Sequence, residues 1–136
     1  MVSKKNYLIS IPIPIHRTNM GKTYLTELLE SINDQSYKKF EVVISDSSYD
    51  SFVKDVASKY KNKFEIKYLN SNFKTLPTNA NNAINYCNGE IIKPMFSDDI
   101  FIQNNSLETI NDIFNAVENN WILVSSYDFK NKKDKK

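Results

Sequence analysis

The chain has 136 residues, of which 40% are hydrophobic and 25% charged. This composition excludes wholesale disorder and is typical of one soluble globular domain. The formal net charge is +2, yet residues 130–136 hold five lysines and one aspartate, so the preceding residues carry about −2. A slightly acidic body argues against nucleic acid as a partner, because nucleic-acid binding requires a basic face. We expect one domain over residues 1–129 and a solvated lysine-rich tail over residues 130–136.

The only cysteine, Cys87, excludes an internal disulfide and a cysteine-rich zinc site, and it fits a reducing cytoplasm. The apolar run at residues 8–15 is short and is interrupted by Pro12 and Pro14, so it predicts neither a signal peptide nor a membrane span. No other stretch approaches the length of a span. The sequence therefore predicts a cytoplasmic protein that contacts a membrane only peripherally, if at all.

Strand-like and helix-like patterns alternate along the chain, which is typical of βαβ units around a mostly parallel sheet. The predicted strands lie at residues 7–13, 40–44, 64–69, 90–96 and 121–127. Apolar stripes with helical spacing predict helices over residues 24–32, 52–60 and 107–117, and a short helix begins near Pro77 and Thr78. The sequence thus predicts an α/β fold with helices on the faces of a central sheet.

Local signals mark the ends of three of these helices. Asp50 or Ser51 is available as the N-cap of the second helix. Asn105, with Glu108 three residues later, is typical of a capping box for the last helix. The pair at residues 88–89, Asn-Gly, is expected to close the third helix, because glycine commonly follows a helix C-terminus.

Segments that follow the predicted strands are polar or charged. They are residues 14–17, 46–50, 70–74 and 97–99. In open parallel sheets, ligands bind beyond the carboxyl ends of the strands, where the strand order reverses. These segments are therefore the places to look for a binding site.

Phosphate recognition in this chain cannot use a glycine-rich loop, because Gly21 and Gly89 are the only glycines. A divalent cation held by carboxylates is the alternative, since hard cations prefer oxygen ligands and bridge to phosphates. Asp98 and Asp99 follow the fourth predicted strand, where such a cation would be needed, and a cation would relieve their repulsion. The other interpretation is that the two acids lie in a solvated turn.

Three further side chains at this edge have two interpretations each. Asp46 follows the second predicted strand, where it could accept a hydrogen bond from a nucleoside or cap the next helix. His16 and Arg17 follow the first strand and could line a base or phosphate pocket, or could be exposed loop residues. His16 is the only histidine and has no identifiable partners, which argues against a catalytic triad and a histidine-rich zinc site.

Four blocks in this order resemble family 2 glycosyltransferases. Residues 10–17, Ser-Ile-Pro-Ile-Pro-Ile-His-Arg, are similar to the family's Ser-Ile-Ile-Ile-Pro-Thr-Tyr-Asn signature. Residues 31–37, Ser-Ile-Asn-Asp-Gln-Ser-Tyr, precede a Phe-Glu strand that ends in Asp46, as in the family. Residues 79–84 followed by 87–90 are similar to Ala-Arg-Asn-x-Gly-Ile and Ala-x-Gly-Glu, and residues 96–99, Phe-Ser-Asp-Asp, are similar to the acidic metal motif Asp-x-Asp-Asp.

The resemblance implies a Rossmann-like GT-A fold, a three-layer α/β/α arrangement truncated after its donor-binding half. It implies a nucleotide-diphosphate sugar, with a UDP-sugar favoured, as the ligand, and a divalent metal, Mn or Mg, held by Asp98 with Asp99 beside it. It further implies that Asp46 contacts the nucleoside, that the base is bordered by Pro14, Ile15, His16 and Arg17, and that Ser97 belongs to the same donor-binding site.

Departures from the family pattern bear on activity. Phe96 replaces the first aspartate of the acidic motif, and Ser47 stands where a second acid is usual. By the resemblance, we expect the family's acceptor-binding half and its catalytic carboxylate to be missing from these 136 residues, so we assign no catalytic residue. Two functions stay open. One is a glycosyltransferase donor domain, either a truncated product or a piece that needs a partner chain for the acceptor site; the other is a non-catalytic nucleotide-sugar-binding module or an inactive fragment that lacks the acceptor half.

Overall fold

The computed structural model describes residues 3–16, 21–118 and 120–124, with the backbone alone at residues 21–23. Strands and helices alternate as the sequence predicts. Their bounds are β1 Ile9–Ile15, α1 Gly21–Asn33, β2 Phe40–Asp46, α2 Phe52–Ser58, β3 Glu65–Asn70, α3 Leu76–Asn85, β4 Ile91–Ile92 and α4 Ser106–Ala116. Among the described residues, none of the helices has the length and apolar character needed to cross a bilayer.

The four strands form one parallel sheet in the order β3-β2-β1-β4. The chain adds β2 and β3 on one side of β1 and then returns to add β4 on the other side, so the strand order reverses at β1. Every residue of β1 and β2 is buried, because helices cover both faces of these central strands. The mostly parallel α/β architecture that the sequence predicts is confirmed.

β4 is shorter than the strand predicted at residues 90–96. Beyond its two residues, the amide N–H groups of Lys93 and Met95 still donate to the carbonyls of Ser10 (2.8 Å) and Pro12 (3.1 Å). The segment therefore continues alongside β1, but half of the expected ladder is missing.

Proline in β1 accounts for the missing half. The N–H and C=O of a strand residue point to the same neighbouring strand, and the Pro12 carbonyl points to β4. Pro12 and Pro14 lack the N–H groups that would bond back to this segment. The intervening isoleucines face β2 instead, and β1 pairs with β2 along its full length, through Ile15 rather than ending at residue 13 as predicted.

The predicted fifth strand at residues 121–127 is not formed in its described part, residues 121–124. Trp121 and Leu123 are 76% and 90% exposed. Ile122 is partly buried against the core, and this single contact does not extend into a ladder in the described residues. Residues 125–127, the lysine-rich tail at 130–136 and Arg17 lie outside the described residues.

The predictions for the ends of α4 and α3 are wrong, and for the start of α2 the structure decides between Asp50 and Ser51. At α2 the Asp50 carboxylate accepts from the Phe52 N–H (3.1 Å), while the Ser51 side chain makes no capping bond. At α4 the Asn105 side chain makes no capping bond, because the Leu107 N–H is taken by the buried Gln35 side chain instead (3.0 Å).

Gly89 does not close α3, which ends at Asn85 without a left-handed residue. A Cβ at position 89 would lie 2.5 Å from the Ser10 Oγ and 2.6 Å from the Ser10 N. Glycine is required there because the chain passes close to β1, a contact fixed by a 2.7 Å hydrogen bond from the Gly89 N–H to the Ser10 Oγ.

Candidate functional site

The ends of β1 and β2 bring three of the predicted site residues together. Pro14 is paired in register with Ser45, and Ile15 with Asp46. All four residues are buried at the carboxyl edge of the sheet. Because the strands are parallel, these residues necessarily share one edge, which is the edge where ligands bind in open α/β sheets.

Asp46 is completely buried and both of its carboxylate oxygens accept a hydrogen bond. Oδ1 accepts from the Ser48 N–H (2.9 Å), which shapes the loop after β2. Oδ2 accepts from the Tyr68 hydroxyl of the neighbouring strand β3 (2.7 Å). Asp46 therefore does not cap α2, since its bonds go to its own loop and to β3.

His16 lies exposed beside this loop. Its Nδ1 is 3.1 Å from the Ser47 hydroxyl, which also donates to the Ile15 carbonyl (3.2 Å). The imidazole meets the Tyr49 ring edge-on with ring centroids 6.1 Å apart, and Tyr49 is 93% exposed. These two exposed rings form a surface next to the buried ends of β1 and β2.

The Asn79 side chain of α3 forms hydrogen bonds with the carboxyl ends of the strands. Its Nδ2 donates to the carbonyls of Ile15 (3.0 Å) and Ser45 (2.9 Å) at the ends of β1 and β2. Its Oδ1 accepts from the hydroxyls of Ser45 (2.6 Å) and Ser71 (2.8 Å), the latter just after β3. One buried amide thus ties the ends of three consecutive strands to one helix.

The loop after β4 carries the acidic pair. The N–H of Asp99 donates to the Phe96 carbonyl (3.0 Å) and its Oδ2 accepts from the Phe96 N–H (2.8 Å), so Asp99 closes a tight turn. Ser97 is half-buried within that turn, whereas Asp98 is exposed and bonds to none of the described residues. Since Met95 still bonds to Pro12 of β1, this turn lies at the carboxyl edge of the sheet.

The acidic turn fits a cation only in a limited way. Within residues 3–16, 21–118 and 120–124, no cluster of three or more His, Cys, Asp or Glu side chains is close enough to hold a metal ion. The Asp98 carboxylate has no partner in the part of the chain that the structure describes, and Asp99 has one carboxylate oxygen that its turn does not use. Sites that bind magnesium with phosphate often use one or two carboxylates and complete the coordination with water and substrate oxygens. The turn is compatible with that kind of site.

Other clefts lie away from these residues. One of about 660 Å³ is at the amino end of the sheet, between the residues preceding β1 and β4 and the C-terminus of α4; among the residues that line it are Tyr7, Glu90 and Phe114. None of the predicted site residues lines it, and in parallel sheets ligands bind at the opposite edge.

Two residues of the carboxyl edge were not predicted from the sequence. Tyr68 reaches Asp46 across the β2–β3 ladder, which requires knowledge of the register. Asn79 was detectable in part, because it occupies an inward position of α3, four residues before the buried Ala83. A polar residue at an apolar position of a helix indicates a buried hydrogen-bonding role.

Comparison with solved structures gives several related folds. A crystal structure of S. aureus TarS 1–349 in complex with UDP is 29% identical, with a TM-score of 0.67 over 79% of this chain and 32% of that chain. A TarS 1–349 structure in complex with UDP-GlcNAc is 30% identical with a TM-score of 0.64. The mannosyltransferase PcManGT from Pyrobaculum calidifontis, in complex with GDP-Man and Mn²⁺, is 19% identical with a TM-score of 0.64 over 85% of this chain and 34% of that chain, and shares the fold.

The chain thus spans about a third of the length of these structures. A comparison with curated protein sequences gives no match. The family model for glycosyl transferase family 2 matches residues 10–135, which is nearly the whole chain and includes all four blocks of the resemblance. The sheet order, the GT-A fold of the neighbours and this match agree, and the chain belongs to glycosyl transferase family 2.

Proposed function

We propose that this chain binds a nucleotide-diphosphate sugar, with a UDP-sugar as the favoured donor, and that it serves the transfer of the sugar to an acceptor hydroxyl. One observation carries the proposal. Residues of β1, of β2 and of the turn after β4 meet at one sheet edge, in a chain 29–30% identical to TarS, whose crystal structures contain UDP and UDP-GlcNAc.

The nucleoside is proposed to lie at the ends of β1 and β2. Asp46 supplies an acceptor for a ring N–H or a ribose hydroxyl, and Pro14 and Ile15 form the apolar floor. His16 and the exposed Tyr49 offer ring faces beside it, on which a base can stack. Arg17, predicted to border the same pocket, lies outside the described residues.

The diphosphate is proposed to lie over the turn after β4, near Ser97. Asp98, with Asp99 beside it, would hold a divalent cation, Mn or Mg, against the phosphate oxygens. When bound, such a cation offsets the charge that builds on the departing diphosphate. Asp98 is proposed as the leading ligand of the two, because its carboxylate is exposed and bonds to none of the described residues, whereas Asp99 closes its own turn.

Transfer to an acceptor needs a further group. In an inverting transfer, a carboxylate removes the proton of the acceptor hydroxyl as the hydroxyl attacks the sugar carbon. We assign that role to none of the described residues, and propose that a partner chain supplies the acceptor site and the base. The lone half-buried thiol of Cys87 is compatible with the cytoplasm, where we propose the protein acts.

Calorimetric titration with UDP, with and without MnCl₂, tests donor binding. We expect Mn²⁺ to tighten binding by about tenfold or more, which is about 1.4 kcal/mol, and Asp98→Ala to abolish that tightening. Asp34→Ala is the matched control, since Asp34 is an equally exposed aspartate at the far end of α1. Wild-type protein that binds no nucleotide under either condition would refute the proposal.

The non-catalytic alternative is separated by product analysis. Wild-type protein is incubated with UDP-GlcNAc and MnCl₂, and free UDP and sugar are quantified over time. Release of UDP that depends on Asp98 indicates an enzyme, because it requires cleavage of the donor bond. Binding of UDP-GlcNAc without its cleavage, alone or with cell extract as a source of acceptor and partner, favours a nucleotide-sugar-binding module.

A further inference from the structure

Tyr68 makes a hydrogen bond to a buried carboxylate at the proposed nucleoside site. It lies on β3 opposite Ile44, and its hydroxyl donates to the Asp46 Oδ2 over 2.7 Å. Burial, and then the contact with the Asp46 carboxylate, raise the pKa of the Tyr68 hydroxyl above its ordinary value. The hydroxyl therefore stays protonated at neutral pH and acts as a donor to Asp46.

The two hydrogen bonds on Asp46 fix the orientation of its carboxylate. Tyr68 holds Oδ2 and the Ser48 N–H holds Oδ1, so rotation about the terminal bond would break both contacts. An ionised carboxylate has about four acceptor positions, of which these donors occupy two. The free positions on Asp46 are therefore held in fixed directions.

A carboxylate fixed in this way selects ligands by their hydrogen-bond donors. Uracil presents a ring N–H at the position where cytosine presents an unprotonated ring nitrogen, and two acceptors facing each other in a buried site are unfavourable. Asp46 is fully buried, so a base reaches it only after neighbouring groups move aside. We expect Tyr68 to keep its contact during such a movement, because it lies on β3, which pairs in register with β2.

We infer that Tyr68 is a positioning residue that holds Asp46 as an acceptor and so favours donors whose base carries a ring N–H over cytidine donors. The inference rests on the proposed donor binding. Tyr68 acts through Asp46 and need not touch the nucleotide. The competing explanation is that the hydrogen bond only stabilises the packing of β3 on β2.

Tyr60 provides a matched control for that explanation. It is 3% exposed and its hydroxyl donates to the Glu30 Oε1 over 2.6 Å, in a contact between the end of α2 and α1. Burial and the Glu30 carboxylate likewise raise the pKa of Tyr60. Tyr60→Phe and Tyr68→Phe each remove one hydroxyl that bonds to a carboxylate, but only Tyr68 lies at the proposed site.

The experiment titrates UDP and CDP into wild-type protein, Y68F and Y60F in MgCl₂. We expect wild type to prefer UDP, Y68F to lose about tenfold of that preference because a charge-assisted hydrogen bond is removed, and Y60F to keep it. In an Asp46→Asn background Y68F should have no further effect on the preference. Equal UDP-to-CDP ratios in wild type and Y68F would overturn the role of Tyr68 while leaving donor binding intact.

The outcomes separate this inference from the proposal on which it rests. Wild-type protein that binds neither nucleotide contradicts donor binding itself. Should Y68F not fold, proton NMR of wild-type protein supplies a second measurement. The Tyr68 hydroxyl proton should exchange slowly with solvent both in the free protein and in the complex with UDP and Mg²⁺. If slow exchange disappears when UDP binds, the Tyr68–Asp46 contact does not persist in the complex, and the positioning role is contradicted.

Discussion

Replacing Asn79 by alanine should destabilise the protein more than any other single amide deletion on α3. The Asn79 side chain is 2% exposed and makes four hydrogen bonds, with lengths from 2.6 to 3.0 Å, to the ends of β1 and β2 and to the segment after β3. Alanine removes all four and leaves the carbonyls of Ile15 and Ser45 without this donor in a site closed to water.

The magnitude follows from the number of lost contacts. A typical intramolecular hydrogen bond contributes about 1 kcal/mol, and an unsatisfied buried partner costs about as much again or more. Two partners keep other contacts, which reduces the loss: the Ser45 hydroxyl still accepts from the Asn82 amide (2.8 Å), and the Ile15 carbonyl still accepts from the Ser47 N–H (2.9 Å). We expect N79A to lower the free energy of unfolding by about 4 kcal/mol, a large fraction of the ~5–15 kcal/mol typical of a domain.

Urea unfolding followed by circular dichroism measures this change. With a slope of about 2 kcal/mol per molar urea, a loss of 4 kcal/mol moves the midpoint down by roughly 2 M. Asn81→Ala is the control, because Asn81 is exposed on the same helix and alanine there removes no buried contact. If N79A and N81A unfold at the same urea concentration, the amide does not tie the strand ends together.

Asn79→Asp distinguishes lost hydrogen bonds from a general packing defect. The new oxygen would face the carbonyls of Ile15 and Ser45, so burial and repulsion should raise the pKa of the aspartate above its ordinary value of about 3.9. When the pKa of the new carboxyl is higher in the folded state than in the unfolded state, its ionisation adds no destabilisation below the pKa of the unfolded state. The destabilisation grows as the pH rises through the pKa of the folded state. The stability gap between wild type and N79D should therefore widen with pH, whereas the gap for N79A should not.

Two further predictions concern the amino half of the sheet. Gly89→Ala places a Cβ 2.6 Å from the Ser10 backbone N, and should lower the free energy of unfolding, measured by thermal melting, by about 1–3 kcal/mol. Adding Ser10→Ala should not restore stability, because the contact with the Ser10 backbone remains. Rescue by Ser10→Ala would contradict the explanation. Burial pushes the pKa of Glu41 up, but bonds from Lys67, Ser10 and a backbone N–H together hold it below 4.5. Glu41 therefore stabilises the fold above that pH, and this contribution is lost as the pH falls further. E41Q should make the unfolding free energy less dependent on pH in the acid range, whereas Glu65→Gln, at an exposed position, should not. An equal pH dependence in E41Q and wild type would contradict this prediction.

The order of elements could be predicted from the sequence because apolar periodicity depends on burial. β1 and β2 are covered on both faces, so their continuous apolar runs are informative. The helices α1 and α4 bury one stripe each, as their spacing indicates. Residues 121–124 are equally apolar, yet all but the partly buried Ile122 are exposed, and periodicity alone cannot separate the two cases.

The site was predictable only as far as it depends on strand ends. Asp46 and Asp98 follow strands, and parallel pairing brings such residues to one edge. Contacts that cross from one element to another are not encoded in local spacing. The Tyr68–Asp46 bond depends on the β2–β3 register, and the need for glycine at position 89 depends on how closely that residue approaches β1.

The prolines of β1 connect the fold to the site. Pro12 and Pro14 withhold two N–H groups on the side that faces β4, and leave the side that faces β2 intact. The β1–β2 pairing therefore runs through Ile15, which brings Asp46 to the edge beside it, while the segment after β4 keeps only the bonds that its own N–H groups donate to β1. Directly after Met95, which still bonds to Pro12, Phe96 and Asp99 form a turn in which the Asp98 carboxylate is exposed. The prolines that shorten the β4 ladder thus leave intact the β1–β2 pairing that brings Asp46 to the proposed site.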